Sequence, residues 1–237
     1  MNIIIHRGTH QIGGSVIEIS TASTRIMLDF GNELSLDEKY IPINLDIDGV
    51  TKGMPDCDGI VISHYHMDHL GQLTSALPEI PLYMGELSKE VAMISAEYQD
   101  KNLYLRLLGA NTFRGGEAFT IGDIRIRPLV IDHSAADSYM FVIEAEGKRV
   151  LYTGDFRMHG LRHHVLDQLV NTYIGEVDVL ITEGTSLSRD ADKYISEAAV
   201  LDDISSYIQE GKYVFIMCSS TNIDRIMGIW QNMPTDK

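Results

Sequence analysis

Three histidines and an aspartate fall within six positions, His64-Tyr65-His66-Met67-Asp68-His69, directly after the apolar run Gly59-Ile60-Val61-Ile62-Ser63. An apolar run of that length predicts a buried strand. The string then predicts a loop at the strand's end, bearing three imidazoles and a carboxylate. Packing gives no reason to cluster groups that are costly to desolvate. Neutral imidazole and carboxylate are donors that zinc, manganese and iron accept. One short loop bearing four of them can grip two ions at once, which restricts the chain to folds that present such a loop at the edge of a rigid sheet.

Bulk properties bound the remaining choices. The 237 residues allow one large domain or one and a half smaller ones, and an apolar fraction of 44% supports a sizeable core. No apolar segment approaches the roughly 20 residues that span a bilayer. The stretch Met1 to Arg7 reads as a first strand rather than a signal peptide. Cys57 and Cys218 are too few and too isolated for a disulfide framework, so a cytoplasmic setting is expected. The net charge of -15 opposes a broad, non-specific grip on a polyanion. Bound divalent ions would offset it locally, adding about four positive charges at the site.

Periodicity and turn residues predict strands at Asn2–His6, Ser15–Ser20, Arg25–Phe30, Gly59–Ser63 and Pro81–Met84. Helices are expected from Asp68 or His69 to Leu77, ended by Pro78, and from Glu86 to about Lys101. Strands return at Ala118–Ile121, Ile124–Ile131, Tyr139–Glu144 and Arg149–Thr153, and Val177–Thr182 reads as a further buried strand. A helix Ser196–Gln209, a strand Tyr213–Met217 and a helix Asn222–Trp230 then predict a second α/β layer. Polar residues from Ser186 to Lys193 mark the boundary, giving units 1–188 and 189–237.

A two-ion site needs donors from more than one loop. His133, after the strand ending at Ile131, and Asp155, in Tyr152-Thr153-Gly154-Asp155, each stand just past an apolar strand. Strand tips fix donor spacing well. Together with the string at His64 they resemble the metallo-β-lactamase fold, an α/β αββα sandwich. Asp29, in Met27-Leu28-Asp29-Phe30-Gly31, matches that fold's early aspartate. Gly154-Asp155-Phe156-Arg157-Met158-His159-Gly160 resembles the β-CASP branch, the nucleases related to ribonuclease J. So do Thr182-Glu183-Gly184-Thr185, Ser219 to Arg225 and the opening Gly8 to Gly14, although Gln11 stands where relatives often carry an acidic residue.

The resemblance implies roles residue by residue. His64, His66 and His133 would hold one divalent ion, Asp68 and His69 a second, and Asp155 would bridge them; zinc is expected, with manganese as the alternative. A hydroxide between the ions would attack phosphorus. Asp29 would orient ligands through hydrogen bonds, and Glu183 would be an outer carboxylate. Arg157, His159 and Arg162 are the expected substrate contacts, because a guanidinium suits phosphate. The implied function is metal-dependent hydrolysis of RNA. Hydrolysis of thioesters or lactones is the alternative, since the same loop serves it in other branches. The chain lacks the family's return to the lactamase domain and its further histidine, so a fragment or split polypeptide is expected. Its partners would then be RNA and either the missing portion or, through exposed Tyr213–Met217, a second copy; a non-catalytic metal-binding chain is the third reading.

Overall fold

The computed structural model describes residues 1–34, 43, 45–187, 194–211 and 213–233. Strands β1 (Asn2–Arg7), β2 (Val16–Ser20), β3 (Arg25–Leu28) and β4 (Gly59–Val61) precede a single helical turn, α1 (Met67–Leu70). Then come β5 (Leu82–Gly85), α2 (Glu86–Gln99), α3 (Lys101–Leu108) and β6 (Asn111–Phe113). Strands β7 (Phe119–Ile121), β8 (Ile124–Ile131), β9 (Ser138–Ala145) and β10 (Lys148–Tyr152) lead to α4 (Val165–Leu169), β11 (Val179–Ile181), α5 (Glu197–Glu210) and α6 (Ile223–Gln231). One sheet runs β1 to β6 in order, antiparallel through β3 and parallel from β3 to β6. The other runs β11-β10-β9-β8-β7, antiparallel except for β10 with β11.

Side-chain alternation sets the layers. On β3, Ile26 and Leu28 enter a core shared by the two sheets, where Val61, Ile126, Phe141 and Ile143 meet them. Met27 points the other way, into a core closed by Ala92 and Ala96 of α2 and Leu103 and Leu107 of α3. On β9, Met140 and Val142 likewise leave the shared core for one closed by Leu169 and Ile174. Each fully buried Ile, Leu or Phe contributes about 1.5–3 kcal/mol, so two sheets apolar on both faces require helices outside both. The expected αββα sandwich is the observed architecture.

Four expectations change. The helix from Asp68 to Leu77 stops after one turn, because the segment leaving β3 takes its carbonyls: Phe30 N donates to His69 O (2.6 Å) and Asn32 N to Met67 O (2.9 Å). The helix from Glu86 is followed by a second, α3, begun by Asp100, whose side chain accepts from Asn102 N and Leu103 N. β11 forms but lies at a sheet edge, with Leu180 56% exposed rather than buried. Tyr213–Met217 pairs with no strand among the described residues, and Phe215 and Met217 are almost fully exposed. A strand exists only through its neighbour's ladder, which local pattern does not contain. Most of the expected boundary, residues 188–193, lies outside the described residues.

The α1 turn is held close against the exit of β3. A Cβ on Gly31 would stand 1.6 Å from Asp68 O, where no atom fits. Gly31→Ala is expected to cost about 3 kcal/mol of stability by overpacking, read as a lowered urea midpoint. An unchanged midpoint would contradict this close approach.

Candidate metal centre

The donors sit where strands end. β4 runs out at Val61, and Ser63 then begins the loop of His64, His66 and His69. β8 ends at Ile131, two residues before His133, and β10 ends at Tyr152, three before Asp155. Tyr139 N donates to Ser63 O (3.1 Å), which ties β9 of the second sheet to the loop from the first.

The donor atoms converge. His66 Nδ1 lies 3.2 Å from His64 Nε2 and 3.2 Å from His133 Nε2. Two nitrogens bound tetrahedrally to one zinc at 2.0–2.1 Å stand about 3.4 Å apart, so this triad already has the spacing of a ligand set. A second group comprises His64, His69 and Asp155. Asp155 faces both: its Oδ1 is 3.2 Å from His69 Nε2 and its Oδ2 3.9 Å from His133 Nε2. Asp68 stands just outside these groups, with Oδ2 3.7 Å from His69 Nε2.

A buried framework orients the rings. Asp29 is fully buried and adopts φ +56°, a left-handed conformation that aspartate tolerates better than most residues. Its Oδ1 accepts from Ser63 N (2.7 Å), and its Oδ2 from Ser63 Oγ (2.8 Å) and Tyr152 OH (2.5 Å). His69 Nδ1 lies 2.7 Å from Oδ2 and donates to it, leaving Nε2 toward Asp155. Because the Ser63 hydroxyl donates to Asp29, it accepts from His64 Nδ1 (3.0 Å), leaving Nε2 to the cluster. Such partners set the tautomer of a metal-binding imidazole.

Charge follows position. Burial drives the His64 imidazole well below its ordinary pKa, assisted by neighbouring imidazoles, and lowers His66 as well. Burial pushes His133 down to about 3. These three rings are therefore neutral at pH 7, the form that binds metal. His69 goes the other way: burial opposes its charge, but the carboxylates of Asp29 and Asp155 outweigh burial and raise it. Asp155 is lowered, since His69 outweighs burial; Asp68 is raised by burial.

Asp68, His133 and Asp155 line a cleft of about 820 Å³, between the Gly8–Gly13 loop and the Thr182–Ser186 segment. Glu183 lines it too, its Oε1 accepting from Phe156 N (2.8 Å), which holds the turn just after Asp155. His159 lines the cleft with its ring stacked on Tyr194, centroids 4.9 Å apart. Arg157 lines the cleft as well, where its Nε donates to Asp132 Oδ1 (3.0 Å) and its Nη1 to Glu197 Oε2 (3.3 Å). Arg162 is likewise engaged, through Nη2 to Asp224 Oδ2 (2.7 Å).

Asp132 was missed as a candidate. It is fully buried beside His133, and besides Arg157 it accepts from Arg162 N (2.9 Å), so it joins the His133 loop to the segment carrying Asp155. A polar residue next to a ligand candidate at a strand end was the available signal. Ser63 and Tyr152, the other donors to Asp29, offered none.

The comparisons agree with this geometry. Residues 38–204 match the family model described as the beta-lactamase superfamily domain. The RNase J-like protein of Methanocaldococcus jannaschii is 27% identical over 89% of the chain and 49% of its own length. Endoribonuclease YSH1 of Gibberella zeae is 27% identical over 88% of the chain and 27% of its own length. Ribonuclease J of Helicobacter pylori is 25% identical over 92% and 33%. The chain thus spans half or less of these relatives. A crystal structure of a protein of unknown function from Enterococcus faecalis superposes with a TM-score of 0.83, covering 98% of the chain and 63% of that structure at 21% identity. By the family match, the shared fold and these relatives, the chain belongs to the β-lactamase superfamily, as a metallo-β-lactamase-fold protein similar to ribonuclease J.

Proposed function

We propose that the chain carries the metal-binding part of a hydrolase that cleaves RNA phosphodiester bonds. One observation carries the reading: five side chains from three loops converge in two groups faced by the two oxygens of Asp155, with His133 and Asp155 opening onto the cleft. A pair of groups sharing a carboxylate suits two divalent ions, and mixed nitrogen and oxygen donors suit zinc, with manganese also accepted. His64, His66 and His133 would hold one ion, and His69 with Asp68 the second, between which Asp155 would bridge. Ions bound there supply Lewis acidity and positive charge against a phosphate.

The chain's own residues supply orientation. Asp29 and Ser63 hold His64 and His69 in their tautomers, and Glu183 holds the backbone after Asp155. Arg157 and His159, which line the cleft, and Arg162 would contact the substrate. RNA is favoured as substrate by relatives named as ribonucleases. Residues 189–237 are read as the beginning of an inserted β-CASP-type layer.

The test is to give zinc- or manganese-loaded protein a single-stranded RNA and, separately, a thioester. Cleavage of the RNA, lost on adding a chelator, is the expected result. Cleavage of the thioester alone would move the chain to another hydrolase class, one that its net charge of -15 suits. No turnover of either, with metal bound, would make it a binding chain.

A further inference from the structure

Tyr65 stands between two of the metal-binding candidates, yet its hydroxyl serves neither. The side chain is buried, and the hydroxyl accepts from Ala136 N (2.8 Å) and donates to Thr221 O (2.7 Å). Ala136 lies three residues beyond His133. Thr221 precedes Asn222, whose side chain caps α6 by accepting from Arg225 N. One phenol therefore joins the loop of His64 and His66, the loop of His133 and the turn that begins α6. Its ring also meets His66 edge-on, centroids 5.6 Å apart.

We propose that Tyr65 is a positioning residue, setting the spacing between the His64–His66 loop and the His133 loop, and that the α5–α6 layer acts on the metal donors through it. The donor nitrogens of His66 and His133 stand 3.2 Å apart although the residues are 67 positions apart in sequence. Holding a ligand set needs side chains placed to within about 0.5 Å. Besides the approach of His66 Nδ1 to His133 Nε2 itself, the Tyr65 hydroxyl links the His64–His66 loop to the backbone of the His133 loop. The same layer is fastened to the cleft wall elsewhere. Glu197 of α5 accepts from Arg157 Nη1 (3.3 Å) and from Arg225 Nε (2.6 Å), and Asp224 of α6 accepts from Arg162. Arg157 and Arg162 both reach Asp132, beside His133. Displacing the layer would thus shift the His133 loop by two routes. The inference rests on the metal-binding reading of these histidines, and not on RNA as the substrate.

The test is Tyr65→Phe in the full chain, which keeps the ring and removes the two bonds. Zinc affinity is measured by competition with a chromogenic chelator, and ligand geometry by the visible absorption of the cobalt-loaded protein. About tenfold weaker zinc binding, typical of losing an outer-shell partner, with an altered cobalt spectrum and an unchanged far-ultraviolet circular dichroism spectrum, is expected. Unchanged affinity and an identical cobalt spectrum would overturn the proposal. Amide exchange in the unsubstituted protein gives a check that stands even where Tyr65→Phe does not fold: Ala136 N–H is expected to be protected, and exchange at the rate of a free peptide would count against the link. Wild-type protein that binds zinc but leaves RNA intact would remove the ribonuclease reading, while the comparison of Tyr65→Phe with wild type would still decide the role of Tyr65.

Discussion

Asp155→Ala is expected to abolish measurable hydrolysis and to lower bound metal, while the protein stays folded. The carboxylate sits beyond the end of β10 and is partly exposed, so its removal opens no cavity in any of the three apolar cores. It is also the group that faces both donor sets, 3.2 Å from His69 Nε2 and 3.9 Å from His133 Nε2. On the proposed reading, its loss would take the bridging ligand from both sets at once, and it leaves His69 without its second carboxylate. A fall in turnover of at least about 10³-fold, or roughly 4 kcal/mol of transition-state stabilisation, is expected. Elemental analysis would show less than the wild-type metal content, and circular dichroism an unchanged fold. Full metal content with wild-type turnover would refute the placement of Asp155 between the two sets.

Asp29→Ala is expected to be the most destabilising single change near the site. Four donors converge on this one buried carboxylate: Ser63 N, Ser63 Oγ, Tyr152 OH and His69 Nδ1. Removing the acceptor strands them in a dry interior, and breaking a buried ion pair from one side costs about 3–5 kcal/mol. Alanine at φ +56° adds about 1–2 kcal/mol, because its Cβ crowds the carbonyl in the left-handed region. Asp29→Asn separates the effects. It tolerates the same backbone and volume, so its stability loss should be smaller, but its amide cannot accept from every donor and metal affinity should still fall. Urea unfolding of metal-free protein checks the first effect and chelator competition the second. A loss under about 1 kcal/mol for Asp29→Ala would be too small for a buried charge left unpartnered, and would show that the network is not what holds the loop.

Much of the candidate site was legible because its donors crowd a short string or stand just past apolar strands. The His64–His69 string, His133 and Asp155 all had this property, and the structure gathers them. Asp29, which follows β3, was singled out only through the resemblance, as the fold's early aspartate. What the sequence hid was who pairs with whom. Arg157 stands out in the sequence because it follows Asp155, whereas its hydrogen-bond partners Asp132 and Glu197 lie 25 and 40 positions away. The early end of α1 depends on amides from the β3 exit, and the exposure of Leu180 on its place at a sheet edge. Tyr213–Met217 has the composition of a strand but no ladder partner among the described residues. Each of these outcomes is decided by a neighbour distant in sequence, and local periodicity reports only the chain's own faces.

The central claim is that imidazoles and carboxylates from separate strand ends share divalent cations. Diffraction from zinc-loaded crystals, collected at the zinc absorption edge, tests it directly. The anomalous map should show density enclosed by His64, His66 and His133 at Zn–N distances of about 2.0–2.1 Å, with Asp155 beside it. Anomalous density only at other surface sites, with these side chains turned away from one another, would contradict the account.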